Sequence, residues 1–343
     1  MTVKSSRLLF VCYPDTNHPI GGVKQIYRQV ELLCQLGFEA YVLQERPGFR
    51  VDWFASDAPV MDLQTFLNGS PDPARDVMVM PETWVSNIPG YLPGLPKIIF
   101  NQNAYYTFGL EGNFDASVLE HYRHPDVIGV VTVSEDNRNF LVDGCGLESD
   151  CVHVVINGID ARLFHPPSVK VRRIVYLGRK HVQHARTVQT LAAQRPVLAS
   201  YPFVELGRLS HAEVAQQLQQ SLVFLSCGHP EGFGLPLAEA IACGCIVVGY
   251  HGLAGRDYCS EALHDVDFGD LLGFVNALEA AVLRFEADPQ SETQLLLDRA
   301  DALLKRYSLD EEANVSSKVW SQLLDKHAQH DPEISDQLEA VAK

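Results

Sequence analysis

The sequence has no run of about 18 consecutive apolar residues, so no segment is expected to cross a membrane. The apolar run Leu8–Cys12 is too short for the core of a secretory leader. Positive charge is scarce: 27 Lys and Arg stand against 43 Asp and Glu, a formal net charge of −16. Such a chain repels phosphate backbones, which argues against nucleic-acid binding. It also disfavours adsorption to an anionic membrane, leaving only peripheral contact through a local basic patch. No Cys-x-x-Cys pair occurs, and the eight cysteines match no zinc framework. Several, such as Cys12 and Cys227, lie inside apolar runs, where a reduced thiol acts as a small hydrophobe; a cytoplasmic setting is expected. The thirteen histidines include no His-x-His or His-x-x-x-His pair, so no metal site is expected. Gly-x-Ser-x-Gly and the phosphate-cradling P-loop are absent too.

What remains is an ordinary globular composition, 46% apolar and 20% charged over 343 residues, which suits about two domains. Short apolar runs alternate with amphipathic stretches. Arg7–Tyr13 reads as a strand, and Val23–Leu36 as a helix with apolar residues at 23, 26, 30, 33 and 36, stopped by Gly37. Strands follow at Glu39–Leu43, Asp76–Met80, Lys97–Phe100, Val127–Val133 and Val152–Ile156, with Ser134 placed to cap a helix through Leu141. Pro166-Pro167 reads as a linker, after which the alternation restarts. Ser210-His211-Ala212-Glu213 is a capping box. This pattern predicts parallel sheets covered on both faces. The expected organisation is a first α/β domain over 1–165, a second over 166–310, a helix over 311–326 and an acidic tail over 327–343.

The stretch that carries chemistry runs from Glu231 to Gly244. Gly232 and Gly234 let a backbone approach a ligand closely. Pro236 suits the first turn of a helix from about Leu235 to Cys243, and the open amides of that turn are a seat for phosphate. Glu239 is the only charged residue between Gly232 and Tyr250. A buried carboxylate needs partners, and either two ribose hydroxyls or a buried arginine would supply them. Glu231 stands where it could accept from sugar hydroxyls or cap the helix.

At these residues the chain resembles a known family. Glu231 and Glu239 match the E-x7-E motif of the retaining GT-B glycosyltransferases of family 4, the "group 1" enzymes, with Gly-Phe-Gly-Leu-Pro between them. Gly21-Gly22-Val23 looks like the family's glycine-rich first loop. Val133-Ser134 looks like its strand end, Asn157-Gly158-Ile159-Asp160 with Phe164 and Pro166 like its interdomain signature, and Gly178-Arg179 like its basic phosphate motif. The resemblance implies two Rossmann-like domains facing across a cleft, the last helix crossing back onto the first, acceptor-side domain. It implies that Glu239 binds the ribose of a nucleotide-diphosphate sugar and Glu231 its sugar hydroxyls. Phe233, Gly234 and Leu235 would lie by sugar and diphosphate, and Arg179 would neutralise the leaving phosphate, where a fixed guanidinium is most effective.

Two departures stand out. The family places a lysine about five residues beyond the arginine; here His184 occupies that position, and Lys180, beside Arg179, is the candidate for the role. Many relatives carry a histidine near Asn101-Gln102-Asn103; here Asn101 or Asn103 could still offer a hydrogen bond to a substrate but could not shuttle a proton. Gly22, with Gly21, is expected to let backbone amides approach the donor's diphosphate or the acceptor without a side-chain clash. The implied reaction is transfer of a sugar from a nucleotide sugar to a hydroxyl acceptor, a glycan or a lipid-linked sugar, with retention, no metal and no cofactor beyond the donor itself. The alternatives are a nucleotide-sugar epimerase of the same architecture and a catalytically weak nucleotide-sugar-binding module.

Overall fold

The computed structural model describes residues 6–17, 20–109, 114–167, 169–207, 209–259 and 261–341, with side chains described as far as His327. The chain divides into two units. One comprises residues up to Val133, Asn137–Val155 and the chain from Ala313; the other comprises Ser134–Asp136 and Ile156–Glu312.

The first unit is built on seven parallel strands: β1 (Arg7–Val11), β2 (Glu39–Gln44), β3 (Val60–Asp62), β4 (Asp76–Pro81), β5 (Lys97–Asn101), β6 (Val127–Thr132) and β7 (Val152–Val154). Their spatial order is β3-β2-β1-β4-β5-β6-β7. The order reverses between β1 and β4, the topological switch point of a doubly wound sheet. Every residue of β4 and β5 is buried, as expected of strands covered on both faces. Helix α1 (Gly21–Gln35) turns Ile26, Tyr27, Val30 and Leu33 to the core. The Gly21-Gly22 pair opens this helix rather than forming a loop before it. Helices α2 (Leu63–Asn68) and α3 (Val118–Tyr122) are short, and α4 (Glu135–Asn139) runs into a π turn at Phe140–Gly144.

The second unit carries five parallel strands, β8 (Val171–Leu177), β9 (Phe203–Leu206), β10 (Ser221–Ser226), β11 (Ile246–Gly249) and β12 (Leu263–Asp265). Their order is β12-β11-β10-β8-β9, so the switch point lies between β8 and β10. Its helices are α5 (Val182–Ala192), α6 (His211–Gln220), α7 (Leu235–Ala242), α8 (Leu271–Ala287) and α9 (Pro289–Arg306). The capping box forms as read: Ser210 Oγ accepts from Glu213 N, and Glu213 Oε2 from Ser210 N. Phe164, 1% exposed, packs against His211 with ring centroids 4.9 Å apart and the planes tilted by 58°.

Helix α10 (Leu309–Val341) begins in the second unit and continues in the first, where buried Trp320 packs on Phe10 at 5.3 Å. Its backbone is helical through the acidic stretch expected as a tail, as far as Val341.

Candidate functional site

In the second unit, two loops leave the sheet on either side of its switch point. Arg179-Lys180-His181 follows β8, and Cys227 to Gly234 follows β10. The first loop grips the second. Lys180 Nζ donates to the Pro230 carbonyl at 2.6 Å and lies 3.1 Å from Glu231 Oε2. His181 Nε2 sits 2.7 Å from the His229 carbonyl oxygen, a contact that requires the ring to donate. The Glu231 side chain fills a slot that glycines shape. A Cβ on Gly228 would come within 2.7 Å of Glu231 Oε1, and one on Gly252 within 3.1 Å of its Cβ. The Glu231 amide donates to the Gly252 carbonyl at 2.7 Å, beside Leu253, whose φ of 79° is a strained value for leucine. Arg179 is exposed, and its guanidinium makes no hydrogen bond or ion pair among the described residues. It is a free cation two residues past a strand end.

Helix α7 starts on Gly234, which is left-handed at φ 85°. A buried phenol fixes this turn: Tyr258 OH lies 2.9 Å from both the Phe233 and the Gly234 carbonyl oxygens, and burial pushes that phenol well above its ordinary range. Leu235 and Pro236 open the helix, as expected for a proline whose missing N–H has no partner to lose. Ser134, expected as a cap, donates its hydroxyl to the Gly232 carbonyl at 2.7 Å. The first amides of α4, those of Glu135 and Asp136, are taken by Asp257.

Glu239, one turn into α7, is 7% exposed and already has a protein partner. His211 Nε2 lies 2.9 Å from its Oε1, so the partner is a histidine rather than the arginine considered from sequence. His184 takes the position at which the resemblance would place a lysine. Its Nδ1 is 2.9 Å from the Tyr250 hydroxyl, and its ring packs with His181 and Phe268. Burial, then neighbouring His181, lowers its pKa.

The first unit carries its own polar cluster at the ends of β1, β4 and β5. Asn101 is fully buried and donates to Thr107 Oγ1 at 3.1 Å and Tyr122 OH at 2.8 Å. Asn103, 6% exposed, accepts from Tyr105 N at 3.2 Å and so caps a short 3-10 turn. Between them Gln102 is half-buried, and its Nε2 donates to the Gly22 carbonyl at 3.1 Å. Its backbone amide donates to Glu82 Oε2 at 3.1 Å. Burial pushes the Glu82 carboxyl up from the ordinary 4.5 to about 7, against the amides of Gln102 and Asn103 that favour its ionised form. Neither Glu82 nor Gln102 was a sequence candidate. The available signal was the position of Glu82 directly after the apolar run 77–81 of β4.

The chain's one Asp-x-Asp is Asp265-Val266-Asp267, at the end of edge strand β12. No group of three or more metal-ligating side chains forms among the described residues. No helix among them is long and apolar enough to cross a membrane.

Residues 184–264 match the family model "Glycosyl transferases group 1", a stretch that holds His211, Glu231 and Glu239 but begins beyond Arg179 and Lys180. An α-1,6-glucosyltransferase of Actinobacillus pleuropneumoniae serotype 7 (strain AP76) is 24% identical over 207 residues, 58% of this chain and 59% of that protein. The alignment therefore spans less than two thirds of that relative. Among solved structures, sucrose-phosphate synthase from Thermosynechococcus elongatus superposes with a TM-score of 0.64 at 16% identity, over 93% of this chain and 99% of that one. Anabaena HepE in complex with UDP gives 0.66 at 13% identity, over 92% and 99%. At such identities the likeness is one of fold: two Rossmann-like domains of the GT-B type.

Proposed function

We propose that this protein transfers a sugar from a nucleotide-diphosphate sugar to a hydroxyl acceptor, with retention at the anomeric carbon and without a bound metal. The observation that carries this reading is the convergence at the switch point of the second sheet. Arg179 and Lys180 stand on the loop after β8, Lys180 pairs with Glu231 on the loop after β10, and α7 begins four residues beyond Glu231. In the reaction the bond between the anomeric carbon and the phosphate oxygen breaks, and its electron pair leaves with the diphosphate. An unpaired guanidinium and helix amides stabilise that growing negative charge, the task a metal ion would otherwise perform. Glu231 accepts from hydroxyls of the donor sugar, and Glu239 from the ribose with the oxygen that His211 leaves open. The acceptor oxygen bonds on the face the diphosphate vacates, and its proton passes to a leaving phosphate oxygen. Retention is taken from the resemblance to the retaining family; with no carboxylate assigned as nucleophile, it would proceed by departure and attack on one face rather than through a covalent glycosyl intermediate. The acceptor is a glycan or lipid-linked sugar, which places the reaction in glycan assembly.

A thermal-shift panel of nucleoside diphosphates and their sugars tests the reading. UDP and UDP-glucose come first because HepE is seen with both. A ligand at about 100 times its Kd adds about 2.7 kcal/mol of stability. Release of UDP from UDP-glucose, or of the corresponding diphosphate from whichever sugar binds, then reports turnover. If no nucleotide in the panel raises the melting temperature, the proposal is wrong.

A further inference from the structure

Three histidines of the second unit crowd onto one phenyl ring beside the Glu231 loop. Phe268, which follows β12, stacks on His229 with centroids 4.2 Å apart and planes 19° apart. His181 lies 4.9 Å and His184 5.6 Å from the same ring, and the two imidazoles stack at 5.2 Å. Tyr250, next after β11, completes the group at 5.1 Å from Phe268. The cluster is bonded to the backbone that presents Glu231: His181 Nε2 donates to the His229 carbonyl at 2.7 Å. His181 does so from a left-handed backbone, φ 50°, a conformation that its surroundings must hold in place. The Tyr250 hydroxyl accepts from the Gly269 amide at 3.3 Å and lies 2.9 Å from His184 Nδ1, so its own hydrogen is available to that nitrogen. A charged imidazole has no lone pair to accept it. The groups acting on His229 are His181, His251, Lys180 and Arg256, and His181 acts on His184. The carboxylates on the packed elements are engaged or exposed: Glu231 pairs with Lys180, Asp265 lies 3.9 Å from His251, Asp270 caps α8, and Asp267 faces solvent. Burial, then these cationic neighbours, lowers the pKa of His184 and His229 below the ordinary 6.5.

We propose that this ring cluster is an acid-sensitive lock on the Glu231 loop, with His181 as the positioning residue and His184 and His229 as the groups whose charging releases it. At neutral pH the uncharged rings pack on Phe268 and His181 holds the His229 carbonyl. Proton uptake sets positive charges beside one another and beside Lys180, and it removes the acceptor for the Tyr250 hydroxyl. The rings separate and His181 leaves the loop, so that Lys180 alone holds Glu231. The locked form binds fewer protons than the open one, so falling pH favours the open form below about 6.5. Loss of donor turnover in acid is the consequence, and that part rests on the sugar-transfer reading above; the lock itself belongs to the ligand-free chain.

The test reads the Glu231 amide, which donates to the Gly252 carbonyl at 2.7 Å, by hydrogen exchange in the ligand-free protein, as a protection factor corrected for the intrinsic effect of pH. Wild-type protection should fall about tenfold between about pH 7.5 and about pH 5.5. The double variant His184→Gln, His229→Gln cannot charge and keeps the backbone carbonyl that His181 holds; its protection should change less than about twofold over that range. His181→Asn tolerates the left-handed backbone but is too short to reach the carbonyl. It should lower protection about tenfold already at about pH 7.5 and show little further fall. NMR of the wild-type imidazoles gives a reading that needs no substitution: His184 and His229 should titrate below about 6.5, in step with the loss of protection. UDP release from UDP-glucose should follow the same profile, with an acid fall in kcat/KM that the double variant reduces to less than about threefold. Constant wild-type protection, a fall that persists in the double variant, or titration of both rings at or above about 6.5 would each overturn the lock. An acid fall in turnover that the double variant keeps and His211→Asn removes would assign that fall to the Glu239 pair and overturn the link to turnover. A wild type that turns over no nucleotide sugar at any pH would overturn the functional reading, while the exchange and NMR results still decide the lock.

Discussion

Lys180 Nζ lies 3.1 Å from Glu231 Oε2 and 2.6 Å from the Pro230 carbonyl oxygen, so one ammonium fixes both the carboxylate and the backbone that presents it. The adjacent Arg179 makes no such bond among the described residues. Neighbouring cations thus divide the work. Arg179→Ala should lower kcat about 100-fold with little change in donor KM, because phosphate charge grows toward the transition state. Lys180→Ala should lower kcat and raise donor KM together, by about tenfold each, because Glu231 loses its orientation. Steady-state kinetics separates the two patterns, and a Lys180 variant with normal KM would remove Lys180 from the positioning of Glu231.

The Glu239–His211 pair offers a second separation. If Glu239 holds a ribose, Glu239→Ala should weaken nucleotide binding by about 2–3 kcal/mol, the worth of hydrogen bonds to a charged acceptor. His211→Ala removes only one donor to that carboxylate and should cost about 1 kcal/mol of nucleotide affinity. Calorimetry with the nucleotide that binds decides this. Equal stability losses in the two variants with unchanged affinity would make the pair purely structural.

Transfer should proceed at the same rate in excess EDTA as in Mg²⁺. The countercharge for the diphosphate is assigned to Arg179 and the first turn of α7, which need no cation between them. Abolished turnover under chelation, restored by Mg²⁺ or Mn²⁺, would overturn this. Asp265 and Asp267 would then be the first residues to substitute.

Much of this fold is written locally. Strands buried on both faces need continuous apolar runs, so β4, β5 and β10 were legible, while three-residue edge strands such as β3 and β12 carry no such signal. The Ser210–Glu213 box closes within four residues and formed as read. Ser134 donates its hydroxyl to Gly232, 98 positions away, a contact that nothing local announces. The same distance effect governs the site. Glu231 and Glu239 stood out because their surroundings are glycine-rich and apolar, but the histidine facing Glu239 lies 28 positions earlier. Asn101 and Asn103 were the candidates and Gln102 was not, because nothing local reveals which of three adjacent amides the strand end and the turn consume. Glu82 follows the apolar run of β4 but was passed over, because the Gln102 amide that holds it comes from 20 positions on.

Glu82 supplies a prediction whose sign is opposite to that of a salt-bridged carboxylate. Its pKa is raised by burial from 4.5 to about 7, so between those values the folded chain binds a proton that the unfolded chain has lost. Stability contributed by this group is therefore greatest at low pH and declines as pH rises from about 4.5 to about 7, then levels off. A shift of that size corresponds to roughly 3 kcal/mol. The titratable side chain coupled to it is the Tyr122 phenol, which burial keeps neutral throughout this range. Glu82→Gln cannot ionise and retains an oxygen for the Gln102 amide. The variant should match wild type near pH 4.5 and exceed it by about 2–3 kcal/mol at pH 8. Chemical denaturation of both proteins at the two pH values measures the difference. A Gln variant that is less stable than wild type at pH 8 would mean that the ionised carboxylate is favoured by its amide donors more than burial penalises it.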